Sequence, residues 1–187
     1  MKSSFNMLIF LSIFLLPLHG MKAQDNQKAK LPIDETTKLI SYVKIQEVNN
    51  ASKDSLYDKA MNWCLTYFVN PNDVIREKDK EKGTVTCKAR FKIMNPADKK
   101  GFATEGGSVM YTLKLLFKDG KYKYEFTEFN WKQASYYPCE KWMDASNQYY
   151  KPEFEYYLSQ IDVKVKEISI AFAKAMMMKA PPKKDDW

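Results

Sequence analysis

The stretch Leu113–Trp131, LKLLFKDGKYKYEFTEFNW, alternates apolar and polar residues on both sides of a single Asp119-Gly120 dipeptide. A period of two is the pleat of a half-buried strand, and Asp-Gly is a preferred pair at the centre of a two-residue hairpin turn. A type I′ turn there sets Phe117 opposite Tyr122, Leu115 opposite Tyr124 and Leu113 opposite Phe126. All three pairs are apolar, so turn and pattern agree on one register, and a slip by one residue would turn the whole apolar set to water. The next apolar residue after Phe126 is Phe129, three positions on instead of two, which predicts a bulge near Thr127-Glu128.

The remaining elements fit around this hairpin. Leu39–Val48 is rich in β-branched and aromatic residues and reads as a first strand. Ser52 is a good N-cap, and Leu56, Ala60, Trp63, Cys64 and Tyr67 recur at helical spacing, giving a helix over 53–69. Val74–Lys78 and Thr84–Met94 read as a hairpin, followed by a loop over 95–107 and an aromatic-rich connection over 132–151. Pro152 suits the first turn of a long helix with Phe154, Leu158, Ile161, Val165, Ile168, Phe172 and Ala175 along one stripe. Such a stripe could zip two chains together, but a single helix lying across a sheet is the simpler use of it, so a monomer is favoured over a homodimer. The expected order is β-α-β-β-β-β-α, an α+β fold whose antiparallel five-stranded sheet carries two helices on one face. It forms a single domain over 34–178.

The ends read differently. Residues 1–23 combine a basic start, the apolar run Met7–Leu16 and a break at Pro17 and Gly20, the plan of a cleaved signal peptide. The run is too short to span a bilayer, which needs about 20 residues. The expected product is exported, periplasmic or secreted, with a flexible leader over 24–33 and a disordered tail over 179–187. Cleavage removes two lysines and no acid, so the formal charge of +7 falls to +5. A basic exported chain favours an anionic partner (an envelope component, a glycan or a protein), and chromosomal nucleic acid is not expected.

The single histidine, His19, lies inside the predicted signal. The mature chain would therefore have no histidine for nucleophile activation or for zinc ligation. No metal site, no cofactor site and no catalytic residue is predicted. Cys64, Cys87 and Cys139 match no metal-binding spacing. A Cys64–Cys87 disulfide requires the helix carrying one to lie over the strand carrying the other.

The segments SYVKIQEVNNASKDSLYDKAMNW and VMYTLKLLFKDGKYKYEFTEF resemble an uncharacterised family of exported bacterial proteins with a TATA-binding-protein-like (TBP-like) fold. The resemblance covers roughly residues 34–130 and, more loosely, the last helix. It rests chiefly on Ser52–Tyr57 and on the Lys118–Tyr122 turn. It implies the fold and an exported life, and it assigns no activity and no functional residue.

Three constellations remain to be weighed. Lys88, Arg90, Lys92, Lys114, Lys118, Lys121 and Lys123 fall on the sheet face away from the helices, where they form either an anion-binding face or simply the wet side of an antiparallel sheet. In the fold's namesake that face meets DNA through apolar and polar contacts more than through lysines. Tyr136, Tyr137, Trp142, Tyr149 and Tyr150 in the connection could stack on a sugar or a peptide, or fold back to close the core. Glu125 and Glu128, near the bulge, are the one route to a carboxylate-dependent hydrolase. The reading that emerges is a non-catalytic binding or envelope-associated module. The hydrolase and a homodimer through the last helix are its alternatives.

Overall fold

A computed structural model of the chain describes residues 29–133 and 135–178. The predicted signal peptide and the predicted tail lie outside these residues. The elements run in order β1 (Tyr42–Glu47), α1 (Lys53–Tyr67), α2 (Pro71–Val74), β2 (Ile75–Asp79), β3 (Thr84–Met94), β4 (Glu105–Lys118), β5 (Lys121–Lys132), β6 (Tyr136–Pro138), a 3-10 turn (Cys139–Met143) and α3 (Glu153–Met177). All strand pairs are antiparallel, in the spatial order β1-β5-β4-β3-β2, with β6 also pairing with β5. The sheet has six strands and not the five expected. The extra one is three residues of the aromatic connection, too short to show a period in the sequence.

The central hairpin has the predicted register, with Phe117 opposite Tyr122, Leu115 opposite Tyr124 and Leu113 opposite Phe126. The turn type differs from expectation. Gly120 has φ +76°, but Asp119 is not among the residues with positive φ, as type I′ would require. The turn is pinned from outside. Gly120 N–H donates to the Ala51 carbonyl, and Asp119 Oδ1 accepts from Lys53 N–H at the start of α1. Ser52 Oγ accepts from Ser55 N–H in the same turn, so one helix end is capped by its own N-cap and by the distant hairpin.

The predicted bulge is present. Thr112 faces Thr127 and Met110 faces Asn130, leaving one extra residue on β5, and Glu128 takes the left-handed φ of +56°. The bulge returns Phe129 to the helix side, where it is fully buried. The loop expected over 95–107 ends earlier, because Glu105–Gly107 already pair within β4. Gly107 has φ +106°, and a Cβ there would stand 2.7 Å from the Trp131 indole nitrogen, which donates to the Gly106 carbonyl. The turn-like Gly-Gly of the sequence is thus a place where a ring crosses the strand closely.

Both α1 and α3 pack on the face that presents Val85, Cys87, Leu113, Leu115, Tyr122, Tyr124 and Phe126. The α3 stripe is buried there from Phe154 to Phe172, so it serves its own sheet and is not free for a second chain. Leu31, in the stretch read as leader, is also buried, and Ile33 bridges to Ile40. Cys64 on α1 lies over Cys87 on β3 with the two sulfurs 3.9 Å apart, both free thiols. The contact with Cys87, together with burial, pushes the Cys64 thiol well up, and burial does the same for Cys139. No helix among the described residues is long and apolar enough to cross a membrane.

Candidate functional site

Strand register decides how the cations on the open face are used. Lys88 pairs with Glu128 at 3.4 Å, Lys92 with Glu105 at 2.7 Å and Lys123 with Glu125 at 3.8 Å. Lys114 stands directly opposite Glu125, while Lys118 and Lys121 face each other beside the turn. Thr84, Thr86, Thr112 and Thr127 share this face, with Val43, Ile45 and Leu116 among them. The seven cations do not act as one continuous field. Three of the seven are paired with acids, and nothing in the sequence pattern places Glu105 and Glu128 beside them. Arg90 stands apart, exposed and with no ion pair among the described residues.

Arg90 belongs to a different setting. β2 is five residues long and β3 eleven, and the pairing of Ile75 with Cys87 ends their contact. Among the described residues no strand pairs with β3 on that side beyond Cys87. The chain entering β2 instead turns through α2, where Pro71 opens a single helical turn after Asn70. The space left over is a recess of about 670 Å³ walled by the end of α1, α2, the start of β2, the unpaired half of β3 and one face of α3. Arg76, Lys88, Arg90 and Lys164 supply cations, Asp73 the one acid, and Tyr67, Phe68, Phe91 and Tyr111 the rings. Lys164 also meets Glu167 at 2.5 Å, whereas Arg76, like Arg90, has no carboxylate partner among the described residues.

Arg76 and Lys164 escaped the sequence reading. Arg76 sits in a short strand that shows no clean alternation, and Lys164 looked like an ordinary solvated helix lysine. A signal that could have led to Arg76 is the length mismatch between Val74–Lys78 and Thr84–Met94, which lets β3 outrun its partner.

A second recess, of about 250 Å³, adjoins the first, since Lys88, Met110 and Tyr111 line both. Its other walls are Thr112, Glu128, Asn130 and Tyr136. Glu128 Oε2 accepts from Thr112 Oγ1 at 2.6 Å and from Lys88 Nζ at 3.4 Å. The Thr112 hydroxyl, with a further pull from Lys88, holds the Glu128 carboxyl below its ordinary value, so it is a fixed carboxylate. Glu125 is in a separate pair with Lys123. The carboxyls of Asp34, Asp79, Glu128 and Asp144 are all displaced downwards, away from the range of a general acid.

The aromatic connection divides in two. Trp142 is fully buried, stacked on Phe154 at 5.3 Å and edge-on to Trp131 at 5.4 Å, and Glu140 Oε1 accepts from Ile40 N–H beside it. Tyr137 and Tyr150 are half-buried around this plug. Tyr136 and Tyr149 are exposed. Tyr136 lines the smaller recess, with Lys132 Nζ 5.5 Å from its ring centre. No group of histidine, cysteine or carboxylate side chains suited to a metal ion occurs among the described residues.

Comparison with known proteins bears on the fold. Two solved structures resemble the chain. One is a DUF4468 family protein from Bacteroides ovatus, 15% identical, with a TM-score of 0.62 over 82% of this chain and 93% of that one. The other is a TBP-like protein from Parabacteroides distasonis, 13% identical, with a TM-score of 0.63 over 80% of this chain and 99% of that one. At such identity the likeness is one of fold alone. No curated protein matches. Residues 42–132 match the family model for a domain of unknown function with TBP-like fold, DUF4468, and over that span the chain is similar to this family.

Proposed function

We propose that the domain is a non-catalytic binding module, exported through its N-terminal segment, that holds an anionic ligand in the recess beside the unpaired half of β3. The observation that carries this reading is the pair Arg76 and Arg90. Both line the recess, and neither has an ion pair among the described residues. A guanidinium presents a planar fork of donors that matches carboxylate or phosphate, and the rings beside it lower the competition from water. The absence of histidine after residue 19 supports binding over hydrolysis.

The test compares two doubly reversed variants of equal charge change, titrated with inorganic tripolyphosphate at low and physiological salt. Arg76→Glu with Arg90→Glu is expected to weaken binding by at least about tenfold, since each charge-assisted bond contributes about 1.5–3 kcal/mol. Lys92→Glu with Lys123→Glu is expected to change it by less than about twofold beyond general screening. Equal weakening would mean that only net charge matters and would overturn the recess as the site. For export, the N-terminus of the mature protein is expected at or near Gln24. An intact Met1 on a membrane-bound chain would overturn that part.

A further inference from the structure

The smaller recess extends this reading, and the inference rests on it: we infer that the anionic ligand is an acidic saccharide, with its acid group among Arg76 and Arg90 and a neighbouring sugar ring over Glu128, Asn130 and Tyr136. The first observation is backbone. The bulge requires a left-handed residue at position 128, a conformation glycine adopts freely and a glutamate adopts at a cost. A glutamate placed there brings a carboxylate to the open face of the sheet at a fixed point. Strain that the fold retains at a surface pocket points to a role for the side chain.

The second observation is how that side chain is held. Oε2 takes both local bonds, from the nearly buried Thr112 and from Lys88, and Oε1 takes none among the described residues. Asn130 Nδ2 donates to the Glu128 carbonyl, which orients the amide of a residue that lines the recess, and its oxygen has no donor among the described residues. A fixed carboxylate oxygen, an amide oxygen and an ammonium within one small recess offer acceptors and donors in the mixture that sugar hydroxyls need. The exposed Tyr136 supplies the flat apolar surface on which a sugar ring's C–H face packs.

The third observation is adjacency. Lys88 and Met110 belong to both recesses, so one ligand reaches from the arginines to Tyr136 without leaving the surface. An inorganic polyanion uses only the first recess. An extended acidic peptide would use the arginines too, but it has few hydroxyls to donate to a fixed carboxylate. Saccharide chemistry fits both halves.

The experiment measures binding of tetragalacturonate, tripolyphosphate and tetra-aspartate by calorimetry to the wild type, Glu128→Gln, Tyr136→Ala and the arginine double variant. Tetragalacturonate is expected to bind at least about tenfold more tightly than the other two. That advantage should disappear in Glu128→Gln and Tyr136→Ala while tripolyphosphate binding stays within about twofold. The arginine double variant should lose all three. Equal affinities for the three anions, or an advantage untouched by both single variants, would overturn the saccharide inference and leave the basic recess standing. Tightest binding of tetra-aspartate would assign the site to acidic peptides instead. If none of the three binds at low salt, the basic recess falls and this inference with it. As a separate check on strain, Glu128→Gly is expected to have a higher thermal midpoint than Glu128→Ala, which loses the same side-chain contacts, and both should lose the tetragalacturonate advantage. A midpoint no higher than that of Glu128→Ala would mean that the left-handed backbone stores no strain, and would count against the proposal.

Discussion

Two regions of this sheet are ringed with aromatic side chains, and they have opposite fates. Beside β6, Trp131, Trp142, Phe154 and Tyr157 pack with ring centres 5.3–6.4 Å apart under the connection between β5 and α3. Beside the unpaired half of β3, Tyr67, Phe68, Phe91 and Tyr111 border an open recess. Aromatic density is similar at both. What differs is cover: a 3-10 turn lies over the first group, while β2 stops short of the second. The first region is sealed into the core and the second is left open to solvent. The lesson concerns where to look for a site, which is where a strand outruns its neighbour and not where rings are most frequent.

That contrast can be broken most forcefully at the sealed region. Trp142→Ala removes a fully buried ring and should cost about 3–5 kcal/mol of stability, read from urea unfolding, while the folded fraction keeps its affinity for tripolyphosphate. A loss of affinity in protein that is still folded would mean the two regions are one unit. A finer test uses glycine. Gly107→Ala must adopt a positive φ and push against Trp131, whereas Gly120→Ala has the same backbone problem but open space around its Cβ. The first should cost roughly 2–3 kcal/mol and the second about 1 kcal/mol, and equal midpoints would show that the Trp131 contact is yielding.

The smallest effect is one of pH. Glu128 has a lowered pKa in the folded state, so its contribution is fully present above the ordinary glutamate value of 4.5 and disappears as pH falls through the folded value. The stability difference between wild type and Glu128→Gln should therefore shrink as pH is lowered below 4.5, by a modest amount because the side chain is 45% exposed. A difference that grows on acidification would contradict the Thr112 and Lys88 contacts.

Much of the fold was readable from local pattern. The hairpin register, the bulge at Glu128, the bounds of β3 and the α3 stripe all follow from residue periods that tertiary contacts did not override. The turn at Asp119 was misread because its conformation answers to Ala51 and Lys53, a partnership that no period of two contains. β6 escaped because three residues cannot display an alternation. The candidate site was legible only in fragments. Arg90 and Lys88 were visible as outward cations on a strand, and Tyr136 as an aromatic in a connection. Arg76 and Lys164 come to the recess through the packing of α2 and α3, which depends on contacts between elements far apart in the chain.

The two sulfurs of Cys64 and Cys87 bear on the chain's history as well as its stability. Neither has any exposed surface, so an oxidant or an alkylating reagent meets them only when α1 lifts from β3. The moment of docking therefore divides time in two. A chain that encounters an oxidant before its helix settles can lock helix to strand covalently, and one that settles first keeps both thiols in the dark. Two populations with the same sequence and the same outline could then persist side by side, told apart only by the order in which folding and oxidation reached them.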